Sequence, residues 1–154
     1  MWDDLKSQEC LEVDNASIAQ LREFTFRWYD EVWNERRTGA IEQFMTDGEA
    51  DCGPFAPGRE LFQKERFREF HTQMLSAFPD LWFCVEEVLV DGDWSAARFV
   101  VSGRHEGEID GLPATGRQFK VGGMVMIRWN YGKAVECMSN FDQFGLLQQL
   151  GVAN

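Results

Sequence analysis

The stretch 81–141 constrains the fold most, because its apolar residues recur with the spacing of strands and not of helices. Four apolar, β-rich segments follow one another: 81–90, 94–105, 117–130 and 134–141. Asp91-Gly92-Asp93 and Tyr131-Gly132 are tight-turn signals, and a glycine-rich connection at 106–116 joins the middle two segments. The pattern predicts an antiparallel meander of four long strands.

Helical spacing precedes the meander in two places. Ser17 and Gln20 have the spacing of a capping box, which predicts that a helix starts there. Residues of its core face then recur every three or four positions: Ile18, Leu21, Thr25, Trp28 and Val32. A second helix carries Phe67, Phe70, Met74 and Phe78 at the same spacing and ends before Pro79. Both stretches are typical of amphipathic helices.

The remaining elements are shorter. Residues 40–45 are expected to form a helical turn, 49–53 a short strand and 55–58 a loop. Residues 1–14 have no period and are expected to form a loosely held arm. After the last strand, a short apolar helix stops at Gly151. The whole chain of 154 residues is expected to be one α+β domain.

Composition excludes some classes of function. Hydrophobic residues make up 44% of the chain and aromatic residues 14%, so a core of rings or a ring-lined cavity is expected. The formal net charge of −11 argues against binding to nucleic acid or to anionic lipid. No apolar run approaches the length of a membrane span, and the acidic N-terminus has no apolar signal-peptide core. We expect a soluble cytoplasmic protein.

The cysteines and histidines favour no metal site. Cys10, Cys52, Cys84 and Cys137 lie far apart, and none forms a C-x-x-C pair. That spacing disfavours zinc and a redox dithiol, and reduced cysteines in a cytoplasmic protein are the simplest interpretation. Neither His105 nor His71 has convincing acidic or cysteine partners, so a zinc site is not predicted.

Several phrases resemble a known family. They are F-R-W-Y-D-E-V-W-N at 26–34, F-P-D-L at 78–81, V-E-E-V-L-V-D-G-D at 85–93, G-R-H-E-G-E-I-D-G-L-P-A-T-G-R at 103–117, G-K-A-V-E at 132–136 and D-Q-F-G-L-L-Q-Q-L-G at 142–151. In order and spacing the chain resembles the SnoaL-like polyketide cyclases, within the nuclear transport factor 2-like superfamily. The resemblance covers residues 18 to 152.

The resemblance implies a fold and a reaction. It implies a cone, in which a strongly curved antiparallel or mixed sheet wraps around the N-terminal helices and opens to a pocket, and it implies a homodimer. In cyclases that act on anthracycline-type polyketides, an Asp late in the last strand is the acid and base of an intramolecular aldol closure, and Asp142 stands at that position. That mechanism needs no metal or organic cofactor.

Three positions depart from the family pattern. Arg104 stands where Thr is common, Met138 stands where Trp is common, and C-G-P-F occurs around Cys52 where aromatic residues or His are common. These changes are expected to line or border the pocket, so they bear on the substrate more than on the fold.

Asp142 has two interpretations. A period of two puts Glu136, Met138, Asn140 and Asp142 on the more polar face of the last strand, which suits a pocket lining. A carboxylate among apolar rings is suited to acid–base chemistry. Asp is equally a preferred helix N-cap, and the two roles can coexist.

Other candidates carry weaker signals. His105 precedes the glycine-rich connection and is a candidate catalytic residue, although a hydrogen bond to that loop would explain it equally. Arg128 and Asn140 are candidate substrate contacts that could polarise a carbonyl, although Arg128 could equally be a surface residue. Trp28 and Trp33 are candidate substrate contacts or core rings.

Three hypotheses therefore stay open. The first is a cofactor-independent cyclase that uses Asp142 on a small hydrophobic, polyketide-like substrate. The second is an isomerase or hydrolase of a small hydrophobic compound on the same scaffold. The third is a binding or assembly module without chemistry, because a fold does not fix a function.

Overall fold

Five strands form one sheet in the computed structural model, which describes residues 17–46, 51–53 and 64–154. In chain order they are β1 (Asp51–Gly53), β2 (Trp82–Asp91), β3 (Trp94–Arg104), β4 (Gln118–Asn130) and β5 (Lys133–Phe141). The order across the sheet is β1-β5-β4-β3-β2, with β1 parallel to β5 and the other pairs antiparallel. The predicted meander is confirmed. The expected arm at 1–14 and loop at 55–58 lie outside the described residues.

The tight turns have the backbone that their sequences predict. Tyr131 and Gly132 both have positive φ, at 49° and 72°, which is the requirement of a type I′ hairpin turn. Gly92, between β2 and β3, has φ 60°. Two bulges, between Val85 and Glu87 and between Arg128 and Trp129, interrupt the ladders and increase the local twist. The predicted curved sheet is confirmed.

Helices cover the inner face of the sheet and one end of it. They are α1 (Ile18–Arg27), α2 (Ala40–Phe44), α3 (Lys64–Ala77) and α4 (Gln143–Leu150). The predicted capping box is present: the Ser17 side chain accepts a hydrogen bond from Gln20 N–H, and the Gln20 side chain accepts one from Ser17 N–H. The prediction that Ile18 belongs to the core face is wrong, since it is 63% exposed in the first turn, before the helix reaches the sheet.

The first helix continues as a π-helical segment, Trp28–Asn34. Glu35 N–H donates to the Asp30 carbonyl at 2.7 Å, a bond that spans five residues and widens the helix. Trp28, Tyr29 and Trp33 are all buried, and Tyr29 and Trp33 pack on Phe83 of β2. This helical form was not anticipated from the sequence, because its apolar residues also satisfy ordinary α-helical spacing.

One buried polar cluster connects α1 to the sheet. The Thr25 hydroxyl lies 2.8 Å from the Leu21 carbonyl and 2.7 Å from the Ser95 hydroxyl on β3. Trp129 on β4 donates its indole N–H to the same Ser95 oxygen at 2.9 Å. The helix axis is therefore held in register with two strands, which sets where the following π-helical segment meets the sheet. The α+β class, with helices against a curved sheet, is confirmed.

Candidate active site

A half-enclosed cavity of about 80 Å³ lies between the π-helical segment, α3 and the inner face of the sheet. Its wall is made mainly of aromatic rings, among them Trp28, Tyr29, Trp33, Phe67, Phe83 and Phe99. Tyr29 packs on Phe83 and on Phe99 with ring centroids 5.2 and 5.4 Å apart, so helix and sheet share one aromatic layer. Apolar walls with few polar groups are typical of small-molecule sites.

The π-helical segment determines how the two candidate tryptophans are presented. Bonds that span five residues bring side chains four and five positions apart onto one side of the helix. Trp28 and Trp33 are five apart, and both line the cavity, as does Tyr29 between them. Their role as substrate contacts remains a prediction.

His71 on α3 holds the end of the π-helical segment. Its Nε2 lies 2.7 Å from the Val32 carbonyl, and because a carbonyl only accepts, Nε2 carries the proton. The His71 ring also packs on Trp33 at 4.8 Å between centroids. Burial lowers the pKa of His71, with a smaller contribution from the charge of Arg36. His71 is thus a half-buried helix residue that supports a cavity wall.

The prediction that the even-numbered face of β5 lines the pocket is wrong. Cys137, Ser139 and Phe141 line the cavity, whereas Met138 and Asn140 are exposed on the outer face. The physical reason is the bulge in the β4–β5 ladder. Trp129 pairs with Ala134, but Arg128 pairs with Glu136, so Val135 is the extra residue and the alternation of faces is reversed beyond it.

Arg128 also lies on the outer face of the sheet. Its guanidinium donates to Glu136 at 2.8 Å and lies 3.9 Å from the Asp93 carboxylate. The hydrogen bond to Glu136 raises the pKa of Arg128. The interpretation of Arg128 as a pocket residue is therefore wrong, and the alternative of a surface residue of an antiparallel sheet is correct. Arg104 does not line the cavity either. Its side chain donates a hydrogen bond to the Gly116 carbonyl at 2.8 Å.

Asp142 is the N-cap of α4 and is not itself among the residues that line the cavity. Its Oδ1 accepts a hydrogen bond from Gly145 N–H at 2.8 Å, and the side chain is exposed. Phe141 before it and Leu146 after it both line the cavity. A Cβ at position 145 would lie 2.2 Å from Oδ2, so glycine lets the helix start approach the carboxylate closely. The N-cap interpretation is confirmed, and the catalytic role remains a prediction.

His105 is fully buried, and its contacts are to the loop that it precedes. Its Nδ1 accepts a hydrogen bond from Thr115 N–H at 3.2 Å, and its ring packs on Phe78 at 5.3 Å. His105 N–H donates to the Arg117 carbonyl, and Gly116 N–H donates to the His105 carbonyl. Nε2 is buried and has no hydrogen-bond partner among the described residues. The side chain fastens both ends of the glycine-rich connection and does not line the cavity. Its catalytic role remains a prediction.

Within the described ranges, no three His, Cys, Asp or Glu side chains are grouped so that they could hold a metal ion. Cys84 and Cys137, whose side chains are described, are both free thiols. None of the described helices is long and apolar enough to span a bilayer.

Sequence reasoning missed Cys137 and Ser139 as cavity residues. The available signal was their alternation with Phe141, which favours one inward face for all three. The polar appearance of the opposite face outweighed that signal, and an antiparallel sheet normally gives its polar face to solvent.

A curved sheet packed on helices around an apolar, ring-lined cavity defines a small α+β protein. The chain belongs to the SnoaL-like polyketide cyclase family, whose family model matches residues 23–150. The predicted family is thereby confirmed.

Individual relatives agree with this membership. The chain is 30% identical over 122 residues to the aklanonic acid methyl ester cyclase DnrD of Streptomyces peucetius, covering 79% of this chain and 84% of DnrD. The crystal structure of wild-type IdmH from Streptomyces antibioticus has a TM-score of 0.74 at 27% identity, over 86% of this chain and 99% of IdmH. A SnoaL-like protein from Jannaschia sp. CCS1 has a TM-score of 0.79 at 22% identity, over 92% and 99%, which supports the fold.

Proposed function

We propose that the protein closes a ring in a hydrophobic, polyketide-like ester, with Asp142 as the acid and base. The observation that carries the proposal is the position of this carboxylate directly after Phe141, which lines a cavity walled by aromatic rings. The similarity to DnrD supports an ester-bearing polyketide as the substrate class. A flat hydrophobic substrate would enter the ring-lined cavity and keep its reacting end at the rim.

The proposed reaction is an intramolecular aldol closure. Asp142 removes a proton from a carbon next to a carbonyl, which breaks a C–H bond and leaves an enolate. The enolate carbon attacks a second carbonyl of the same molecule, so that one C–C bond forms and an alkoxide develops. Asp142 then returns its proton to the alkoxide, and the product is an isomer of the substrate. The enzyme ends in its starting state.

Two effects would supply the acceleration. Positioned acid–base catalysis contributes about 10²–10⁴-fold. Holding the two reacting carbons together in a near-attack geometry can be worth effective molarities of about 10⁵–10⁸ M. The Gly145 N–H bond to Oδ1 supports the first effect, because it fixes the direction of the carboxylate at the helix start. The cavity wall, held by His71 and Trp33, supports the second.

The test separates catalysis from capping. Asn is as good an N-cap as Asp but cannot accept the proton, so Asp142→Asn should keep the fold and lose turnover. With aklanonic acid methyl ester as the probe substrate, we expect a loss of about 10²–10⁴-fold in kcat. Asn140→Ala, on the outer face of the same strand, is the matched control and should turn over normally.

Two results would refute the proposal. The first is unchanged turnover by a correctly folded Asp142→Asn variant. The second is the absence of any cyclised product with the wild-type protein. Hydrolysis of an epoxide, a rival reaction, would need a second carboxylate to orient water, and the candidate on β5, Glu136, is hydrogen-bonded to Arg128 on the outer face.

We also propose that two copies associate through the outer face of the sheet. Leu89, Met126 and Met138, which are 62%, 46% and 52% exposed, lie in one cross-strand row. The neighbouring rows contain arginines paired with carboxylates, Arg98 with Glu86 at 3.3 Å and Arg128 with Glu136. In a chain of net charge −11, this pairing lets a second copy approach the apolar row without meeting unpaired like charges there. The cytoplasmic location stays a prediction.

A further inference from the structure

Ser139 brings a hydroxyl to an otherwise nearly apolar cavity. It lies on the inner face of β5, paired across the ladder with Val125 of β4, and both residues line the cavity. Its neighbours on the same face are the thiol of Cys137 and the ring of Phe141. A hydroxyl in such surroundings decides where an oxygen atom of a bound molecule can lie.

The hydroxyl is weakly engaged within the protein. Ser139 Oγ lies 3.4 Å from the Met124 carbonyl, beyond the 2.5–3.0 Å that is usual for an O–H···O hydrogen bond. A serine hydroxyl rotates about its C–O bond and can donate in another direction. Turning toward a ligand would therefore give up little.

The free energy of ligand binding depends on whether a buried carbonyl oxygen finds a hydrogen-bond donor. A carbonyl oxygen that leaves water for an apolar wall loses its hydrogen bonds, and the loss is large unless a donor replaces them. Ser139 can supply that donor from the β5 wall of the cavity. A ligand with an acceptor at this depth is thus favoured over one of the same shape without it.

The strand geometry sets the distance to the reacting end. Ser139 and Asp142 are three residues apart, which corresponds to about 10 Å along an extended chain. An oxygen bound at Ser139 is therefore not the oxygen of the reacting carbonyl at the rim. It belongs to a part of the molecule several bonds deeper in the cavity.

We propose that Ser139 is a specificity-determining residue, which selects hydrophobic molecules that carry a carbonyl or other acceptor oxygen about 10 Å from the carbon presented to Asp142. This inference rests on the proposed function in one respect, because that function assigns the reacting carbon to Asp142. The preference for an acceptor at Ser139 rests on the cavity alone.

The test uses two probes of equal shape. Fluorene and 9-fluorenone are flat tricyclic molecules that differ by one carbonyl oxygen, and binding of each is measured by equilibrium dialysis with chromatographic quantification. We expect the wild-type protein to bind fluorenone about fivefold to tenfold more tightly than fluorene, the ratio that one net hydrogen bond supplies. Ser139→Ala should abolish the preference, bringing the ratio to one or below because the buried carbonyl then lacks a donor, and should leave the affinity for fluorene within twofold.

Two further variants complete the design. Ser139→Thr keeps a hydroxyl and should retain the preference for fluorenone. Ser102→Ala removes a hydroxyl from the outer face of β3 and should bind both probes as the wild type does. A wild-type ratio near one, a preference that survives Ser139→Ala, or no binding of either probe would overturn the inference.

The binding inference and the proposed reaction can be refuted independently of each other. Asp142→Asn should keep the wild-type ratio of affinities, because neither probe reacts. If Asp142→Asn retains full turnover while the ratio depends on Ser139, the reaction is wrong and the binding inference stands. If Asp142→Asn loses turnover while the ratio is independent of Ser139, the reverse holds.

Discussion

Replacing Gly123 by alanine should damage the cavity floor from within the sheet. A Cβ at position 123 would lie 2.5 and 2.7 Å from Cζ and Cε2 of Phe99 and 2.9 Å from the Asn140 carbonyl oxygen. Carbon atoms in contact are normally 3.5–4.0 Å apart, so the overlap with the ring is about 1 Å. Glycine at this position is what lets the Phe99 ring lie across β4.

The ring has little room to move away. Phe99 is 3% exposed and is held between Tyr29 and Phe83, with centroids 5.4 and 5.3 Å away. Overpacking of this kind costs about 1–3 kcal/mol. For a domain of this size each kcal/mol lowers Tm by about 2–4 °C, which predicts a decrease of about 2–12 °C. Any displacement of the ring enters the cavity, so affinity for fluorene should fall as well.

The neighbouring glycine is a matched control. A Cβ on Gly122 would meet the Phe99 carbonyl oxygen at 3.9 Å, an ordinary contact, and the position is exposed. Gly122→Ala shares the loss of unfolded-state entropy that any Gly→Ala change brings, so the difference between the two variants isolates the clash.

Thermal unfolding followed by circular dichroism measures this difference. Combining Gly123→Ala with Phe99→Leu should recover part of the decrease in Tm, because the effects of substitutions at two contacting residues do not add. Equal Tm values for the Gly122 and Gly123 variants would refute the reasoning, as would strict additivity in the double variant.

Two further predictions concern pH and assembly. Burial holds the pKa of His71 below its ordinary 6.5, so as pH falls below about 6.5 the unfolded chain binds more protons than the folded chain and the free energy of unfolding falls. The glutamine of His71→Gln can donate to the Val32 carbonyl without titrating. In urea unfolding between pH 7.5 and 5.5, the free energy of unfolding of the variant should therefore change less with pH than that of the wild type. Equal pH dependence of the two proteins would contradict this role. Met126→Lys should convert the proposed dimer to a monomer in sedimentation equilibrium, whereas Tyr131→Lys, at the exposed β4–β5 turn, should not. A monomeric wild-type protein would rule out the proposed interface.

Local signals predicted most of the fold. The capping box at Ser17, the positive φ at Tyr131 and Gly132, and the end of α4 at Gly151 each follow from the conformational preferences of a few adjacent residues. The π-helical form of Trp28–Asn34 could not be predicted in this way. Its contacts include a partner remote in sequence, since His71 donates a hydrogen bond to the Val32 carbonyl.

The inward face of β5 was the consequential error, and one residue explains it. From the turn, Asn130 pairs with Lys133 and Trp129 with Ala134, and a regular ladder continued from there would pair Ile127 with Glu136. That register would turn Glu136, Met138 and Asn140 inward, which is the prediction made from a period of two along β5. The extra residue at the bulge pairs Ile127 with Cys137 instead, and every later side chain on β5 changes face.

The bulge also determines what the site can do. With the shifted register, Ser139 and Phe141 point into the cavity, and the strand ends at Phe141. Asp142 then leaves the sheet as the cap of α4 and does not line the cavity wall. A regular ladder would have placed polar groups in the cavity and lost the apolar wall. The same single-residue insertion therefore keeps the cavity apolar and gives it the Ser139 hydroxyl.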